Sequence, residues 1–129
     1  MTTADPNSIH QAFADAANSG DLDRLASLFA PDAVIIERGG GRASGTDAIR
    51  RHLEQLLALN PKMQIHTTHT FAHGDIALLC SRWTATATTP DGQQVNLDYR
   101  GTEVARRDNA GTWRLYIDNP WGADVGDAM

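Results

Sequence analysis

The apolar residues in the first sixty positions recur mostly with the period of an α-helix, which predicts three amphipathic helices. The first begins at Asp5-Pro6 and ends at residues 18–20. The second is capped at residue 21 and stopped by Pro31, and the third is capped by Thr46 and closed by Pro61. The inward stripe of the first helix comprises Ile9, Ala12, Phe13, Ala16 and Ala17.

Beyond Pro61 the period changes from about 3.6 to 2, which predicts strands. Apolar and polar residues alternate over 63–71, and longer strands are predicted over 76–88 and 95–107, with a last strand over 112–118. Turn residues separate the strands at 73–75, 90–92 and 108–111. A shorter β-branched run at 33–37 predicts one more strand between the second and third helices, followed by a glycine-rich loop at 39–41.

This order of elements predicts an α+β fold, with helices first and an antiparallel meander second. We expect a cone-shaped domain in which three N-terminal helices pack on the concave face of a curved antiparallel sheet. Residues 1–129 form a single domain, with tails at 1–5 and 122–129. The space between helices and sheet is where a small-molecule pocket is expected.

Composition narrows the possible partners. The chain has 129 residues, a net charge of −5 and no basic stripe, so we predict no nucleic-acid partner. The single cysteine, Cys80, excludes an internal disulfide and fits a reducing cytoplasm, where we place the protein. Neither a signal peptide nor an apolar run of membrane-spanning length is visible, so we expect no membrane association.

Three segments resemble a known family. They are ANSGDLD at 17–23, LFAPDA at 28–33 and SGTDAIR at 44–50, and the ending IDNPWG at 117–122 adds to them. Together they resemble the SnoaL-like and ketosteroid-isomerase-like family of the nuclear-transport-factor-2-like superfamily. The resemblance implies the cone-shaped fold, but this fold hosts isomerases, cyclases, epoxide hydrolases, dehydratases and binding domains.

The resemblance also implies site residues. Counted from Asp32, the carboxylate general base of the ketosteroid isomerases falls on Glu37. Counted from Asp21, their tyrosine oxyanion donor falls on Phe13, so that donor is absent. Their second donor, a protonated aspartate, falls near Glu103. Loss of one oxyanion donor slows such a reaction roughly 10²–10³-fold, which disfavours steroid isomerisation by the mechanism of the ketosteroid isomerases.

The residues themselves leave alternatives open for each carboxylate. Glu37 ends an apolar strand and precedes mobile glycines, so it is either a desolvated general base or an exposed partner of a loop arginine. Glu103 and Asp118 could both line the mouth of the cone. Alternatively, Glu103 forms an ion pair with an arginine on a neighbouring strand and Asp118 caps the final turn. Strict alternation would place Tyr116 and Asp118 on the same face of the last strand. If the carboxylates line the mouth, Tyr99 or Tyr116 could supply the missing hydroxyl donor.

The aromatic residues and histidines complete the candidate site. We predict that the ligand contacts Phe13, Trp83, Tyr99, Tyr116 and Trp121. For Trp83 and Trp121 the alternative is packing in the core and at the rim. We predict no metal, because His66 and His69 are an odd number of residues apart and would face opposite sides of a strand. Cys80 is more consistent with a small buried apolar residue than with a nucleophile.

Two functions fit this pattern. The first is a cofactor-independent enzyme performing isomerase-, cyclase- or hydrolase-type acid–base chemistry on an apolar carbonyl or epoxide ligand, with Glu37 or Asp118 as base. The alternative is a non-catalytic ligand-binding or dimerisation domain. Two carboxylates and a hydroxyl or indole donor in the pocket would favour the enzyme. We also expect a homodimer joined through the outer face of the sheet, where the long strands carry more apolar residues than one packed face needs.

Overall fold

The computed structural model describes residues 3–126. The helices are α1 (Ile9–Ser19), α2 (Leu22–Ser27) and α3 (Gly45–Ala58), and short 3₁₀ turns lie at Pro6–Ser8 and Gly122–Asp124. Gly20 ends α1 in the left-handed conformation, with φ of 69°. The Asp21 carboxylate then caps α2 by accepting from the backbone N–H of Arg24 at 3.1 Å. None of the helices in this part of the chain is long and apolar enough to cross a membrane.

Six strands form one curved sheet. They are β1 (Phe29–Ile36), β2 (Arg42–Ser44), β3 (Lys62–His73), β4 (Ile76–Thr88), β5 (Gln94–Arg107) and β6 (Trp113–Asn119). Their order across the sheet is β2-β1-β6-β5-β4-β3. Successive strands from β3 to β6 pair antiparallel, whereas β1 and β6 pair parallel. The predicted α+β fold with its helices on a curved, mostly antiparallel sheet is confirmed.

The region between α1 and α3 differs in detail from the prediction. The second helix ends at Ser27, and the strand begins at Phe29 and runs through Pro31. Proline is tolerated there because the β1–β6 ladder is interrupted between Phe29 and Val34. Strand β2 was not predicted, because three residues are too few to show a period. The third helix begins at Gly45, and the hydroxyl of Thr46 lies 3.4 Å from the carbonyl oxygen of Pro31 instead of capping it.

The two ends of the described segment are held against the domain. Thr3 is buried, and its carbonyl oxygen accepts from the backbone N–H of Trp113 at 2.8 Å. Near the other end, the N–H of Gly39 donates to the carbonyl oxygen of Val125 at 2.7 Å. The outermost residues of the predicted tails, 1–2 and 127–129, lie outside the described residues.

The outer face of the sheet carries a continuous apolar row. Five side chains meet across five strands, because each is paired with the next in register: Val34, Ile117, Val104, Leu78 and Phe71. Three of the five are exposed, and Phe71 exposes 60% of its surface to solvent. Exposed apolar patches of this extent are more often protein contact surfaces than free surface of a monomer.

Candidate active site

A cavity of about 310 Å³ lies between the concave face of the sheet and the helices α1 and α3. Its volume is at the lower end of the range for small-molecule sites. Most of its wall is apolar, and polar groups enter at its inner end and at the α3 rim. The lining residues are His10, Phe13, Ile35, His52, Leu53, Gln55, Leu56, Leu59, Pro61, Met63, Ile65, Ser81, Trp83, Ala85, Ala87, Leu97, Glu103, Leu115, Asp118, Pro120 and Trp121.

A hydrogen-bonded cluster fills the inner end. Helix α1 directs His10 at the sheet, where its Nε2 contacts Oε1 of Glu103. The same oxygen accepts from the hydroxyl of Ser81 at 3.3 Å. The other ring nitrogen, Nδ1, lies 2.6 Å from Oγ1 of Thr67. Both nitrogens of His10 are therefore occupied by protein groups, while Oε2 of Glu103 receives no hydrogen bond from the described residues.

Gly101 provides the space for this cluster. A β-carbon at this position would lie 2.5 Å from Oε2 of Glu103 and 2.7 Å from Oγ of Ser81. Neither distance is compatible with a side chain, so any larger residue would displace the carboxylate. The glycine thus lets a buried glutamate turn one oxygen towards His10 and keep the other near the cavity.

Asp118 lies opposite Glu103 on the neighbouring strand. It is 8% exposed and lines the cavity, and within residues 3–126 nothing donates a hydrogen bond to its carboxyl group. Burial raises the pKa of Asp118 well above the usual value of 3.8, and the charge of Glu103 raises it further. Both effects favour the protonated form of Asp118, from which a proton can be donated to a ligand.

A β-bulge is what brings Asp118 into the cavity. Val104 pairs with Ile117 but Ala105 pairs with Leu115, so Tyr116 is an extra residue on β6. Leu115 and Asp118 consequently both face inward, although their separation is odd. The expectation that Tyr116 and Asp118 share a strand face is therefore wrong. Tyr116 lies instead under the guanidinium of Arg106, 4.2 Å from its ring centroid.

The protonation of Asp118 gives a measurable stability prediction. A group whose pKa is raised by folding contributes its full stability below its unfolded value, here 3.8, and loses it as the pH rises through the folded value. Asp118→Asn removes this loss. We expect the variant to gain free energy of unfolding relative to the native chain as the pH rises above about 4. Urea unfolding at a series of pH values measures the difference, and parallel profiles would contradict the assignment.

Glu37 lies at the rim rather than in the cavity wall. Strand β1 ends at Ile36, and the Glu37 side chain is 45% exposed, with Oε2 3.6 Å from Nδ1 of His52. His52 lines the cavity, so Glu37 approaches the site through that histidine. The desolvation expected for Glu37 is found at Glu103 and Asp118 instead, because their strands cross the middle of the sheet.

Aromatic residues form the wall next to the acidic pair. Phe13, Trp83 and Trp121 line the cavity, whereas Tyr99 packs behind the two tryptophans, with ring centroids 5.5 Å and 5.0 Å away. The Tyr99 hydroxyl accepts from Arg38 and does not line the cavity. The indole N–H of Trp83 donates to the carbonyl oxygen of Pro120 at 2.7 Å. The indole nitrogen of Trp121 is buried and has no hydrogen-bond partner among the described residues.

His10 is the site residue that sequence reasoning missed. It lies three residues before Phe13 and seven before Ala17, so it belongs to the inward face of α1 by the same periodicity that identified those two. Its partners, Thr67 and Glu103, lie 57 and 93 residues further along the chain. The sequence signal that could have identified His10 is a titratable residue at a position of the first helix that the periodicity predicts to be buried.

The structure corrects the argument made for the other histidines. The β3–β4 register shifts between Thr67 and His69, so His66 and His69 pair with Arg82 and Cys80 on the same outer face. Because of this bulge, His66 and His69 lie on the same face of the strand, whereas the prediction placed them on opposite faces. Over residues 3–126 there is still no group of three or more histidine, cysteine, aspartate or glutamate side chains arranged to hold a metal ion.

Comparison with known proteins places this site in a family context. The family model described as a SnoaL-like domain matches residues 10–116. No functionally curated protein matches the sequence. Among solved structures, a ketosteroid isomerase-like protein from Erwinia carotovora atroseptica is 18% identical with a TM-score of 0.76, covering 86% of this chain and 88% of the other.

Two further solved structures share the fold. A candidate dehydratase of the NTF2-like family from Streptomyces avermitilis is 23% identical with a TM-score of 0.71, covering 86% of this chain and 89% of the other. An NTF2-like protein with a cystatin-like fold from Novosphingobium aromaticivorans is 19% identical with a TM-score of 0.72, covering 87% and 75%. At these identities the likeness concerns the fold alone.

Proposed function

Because the chain belongs to the SnoaL-like domain family and encloses a largely apolar cavity, we propose that it is an enzyme that moves protons on an apolar, carbonyl-bearing ligand. The observation that carries the proposal is the Glu103–Asp118 pair. Two adjacent buried carboxyl groups differ in environment, since Glu103 is hydrogen-bonded by His10 and Ser81 and Asp118 is not. Environments that separate two acids in this way assign one as base and the other as acid.

The proposed reaction is a proton transfer that leaves the net charge of the enzyme unchanged. Oε2 of Glu103 removes a proton from the carbon next to the carbonyl group, and Asp118 donates its proton to the carbonyl oxygen. The resulting enol returns a proton to Asp118 and receives the one held by Glu103 at a carbon atom. His10 and Ser81 position the Glu103 carboxylate.

A non-catalytic binding domain is the alternative. That function would need only an apolar pocket, and in such a pocket a buried, unpaired Asp118 would oppose folding without benefit. The cavity is instead lined by two carboxyl groups, those of Glu103 and Asp118, and by the Ser81 hydroxyl. This set supports the enzyme, although it does not distinguish an isomerase from a cyclase or a hydrolase.

The proposal is tested with straight-chain β,γ-unsaturated ketones. The enzyme should convert them to the conjugated isomers, which absorb in the ultraviolet, and in deuterium oxide it should incorporate deuterium beside the carbonyl group. The control is the double variant Glu103→Gln/Asp118→Asn, which keeps the shape of the site. Conversion and exchange no faster than with this control would contradict the proposed function.

Glu37 remains a candidate for the base. The isomerase resemblance assigns that role to it, and the contact with His52 connects it with the cavity rim. Its exposed side chain lacks the desolvation that strengthens a carboxylate base. We therefore place it second to Glu103 and compare the two glutamine variants directly.

We further propose that two chains associate through the apolar row of the outer sheet face. Val34, Ile117, Val104, Leu78 and Phe71 cross the sheet side by side, and a two-fold axis would bring the row against itself. Light scattering should give twice the chain mass of 14.0 kDa at micromolar concentration.

The Leu78→Lys variant tests this interface. The lysine would place two charges near the centre of the dimer, so we expect a monomer with an unchanged circular dichroism spectrum. Thr84→Lys, on the same outer face but outside the row, should leave the dimer intact. A native chain with the mass of one protomer at micromolar concentration would contradict the dimer.

A further inference from the structure

The polar and apolar parts of the cavity lie in successive layers along β4. The inward side chains at every second position, from Ser81 through Trp83 and Ala85 to Ala87, all line it. The seven residues from Ser81 to Ala87 are separated by six steps along the strand and span roughly 20 Å. The cavity is therefore long for its volume of about 310 Å³.

Register determines what each layer contains. Ser81 pairs with Thr67, which belongs to the polar cluster, and Trp83 pairs with Ile65 and Tyr99. The next layer joins Ala85 to Met63 and Leu97. The last consists of Ala87 with Pro61 and Leu59. Ala87 and Pro61 are buried, and the backbone N–H of Thr88 donates to the carbonyl oxygen of Leu59 at 2.7 Å, so the chain leaving α3 meets β4 and closes this end. Polarity thus falls from the acidic pair to an end that offers only methyl, methylene and ring carbons.

The α3 side of the cavity supplies the remaining polar groups. His52 and Gln55 line it from the helix, but Gln55 is exposed and His52 is paired with Glu37 at the rim. They border the solvent side and not the closed end. A ligand that reaches the acidic pair must therefore leave its other end among apolar groups.

We infer that the substrate is an uncharged, elongated molecule with one hydrogen-bond-accepting head group at the Glu103–Asp118 pair and an unbranched apolar tail extending to Ala87. This inference rests on the proposed function, which places the reacting group at the acidic pair. An extended chain fits a long, narrow cavity better than a fused ring system does. A carboxylate head would add a third acidic group beside two that already repel each other.

Saturated methyl ketones from butanone to undecanone test the tail. Binding is measured by quenching of tryptophan fluorescence, since Trp83 and Trp121 lie in the wall. We expect affinity to rise roughly two- to fourfold with each methylene and then to reach a plateau when the chain meets the closed end. Affinity that does not change with chain length would overturn the inference.

Two variants of β4 locate the tail. Ala87→Leu fills the closed end, so the plateau should come at a shorter chain while butanone binds as before. Thr84→Leu adds a leucine on the opposite face of the same strand and should leave the series unchanged. A plateau that Ala87→Leu does not shift would overturn the placement.

Charged probes of equal length test the head group. At neutral pH decanoate should bind at least tenfold more weakly than decanone, and Glu103→Gln should reduce that difference. Decanoate or decylamine binding as tightly as decanone would overturn the uncharged head. The whole series is repeated with the double variant Glu103→Gln/Asp118→Asn, which lacks the proposed catalytic groups. Chain-length dependence without proton transfer would refute the proposed function alone, and proton transfer without chain-length dependence would refute this inference alone.

Discussion

Glu103→Gln is expected to slow isomerisation of the unsaturated ketone probe by roughly 10²–10⁴, the range for loss of a general base. The amide keeps the size of the side chain and can still accept from His10 and Ser81, so the fold and the cavity should persist. What is lost is the oxygen Oε2 as a proton acceptor. The measurement is the rate of enone formation at saturating probe, with deuterium incorporation as a second readout.

Glu37→Gln is the matched comparison, because it makes the same chemical change at the rim. We expect it to lower the rate less than tenfold. If Glu37→Gln slows the reaction a hundredfold or more while Glu103→Gln does not, the role of base moves to Glu37. Ligand binding measured in both variants separates a change in chemistry from a change in affinity.

His10→Leu is expected to lower the free energy of unfolding by about 3–5 kcal/mol at neutral pH. His10 and Glu103 are both nearly inaccessible, with side-chain exposures of 6% and 5%. Removing the histidine leaves the glutamate buried without its principal donor, which is costlier than losing the contact itself. Urea unfolding measures the loss, and Gln11→Leu is the control at the next, exposed position of α1.

The double variant His10→Leu/Glu103→Leu distinguishes pairing from packing. If the cost comes from an unpaired buried carboxylate, removing that carboxylate as well should restore most of the lost stability. A double variant at least as unstable as His10→Leu would show that the histidine contributes by packing, and the positioning role given to it would then fail.

The fold could be predicted from the sequence because most of its elements have a regular period. The strand predicted at 76–88 has those bounds, since its inward and outward residues alternate without interruption. The ends of α2 and β1 could not be placed as well, because Leu28, Phe29 and Pro31 satisfy either a helical stripe or an irregular strand. The parallel pairing with β6 determines that these residues form a strand, and a local sequence pattern does not show which strand pairs with which.

The site was less predictable for the same reason. Glu103 and Asp118 were candidates, but their meeting depends on a bulge at Tyr116 that no alternation rule anticipates. His10 lies on the first helix, and its partners come from β3 and β5. Glu37 was placed by counting from a family motif, and the strand ends one residue before it. A local period locates a side chain on its own element, whereas a site requires the register between elements.

The bulge on β6 also bears on how such a pocket could change during evolution. An in-frame deletion of one codon at Tyr116 would restore strict alternation, with Leu115 and Asp118 still facing the ligand, because the extra residue lies between them. The pocket would keep its aspartate, and only the outer face of the sheet would lose a side chain. The length of this strand could thus change at the bulge during evolution without a change in the groups that face the ligand.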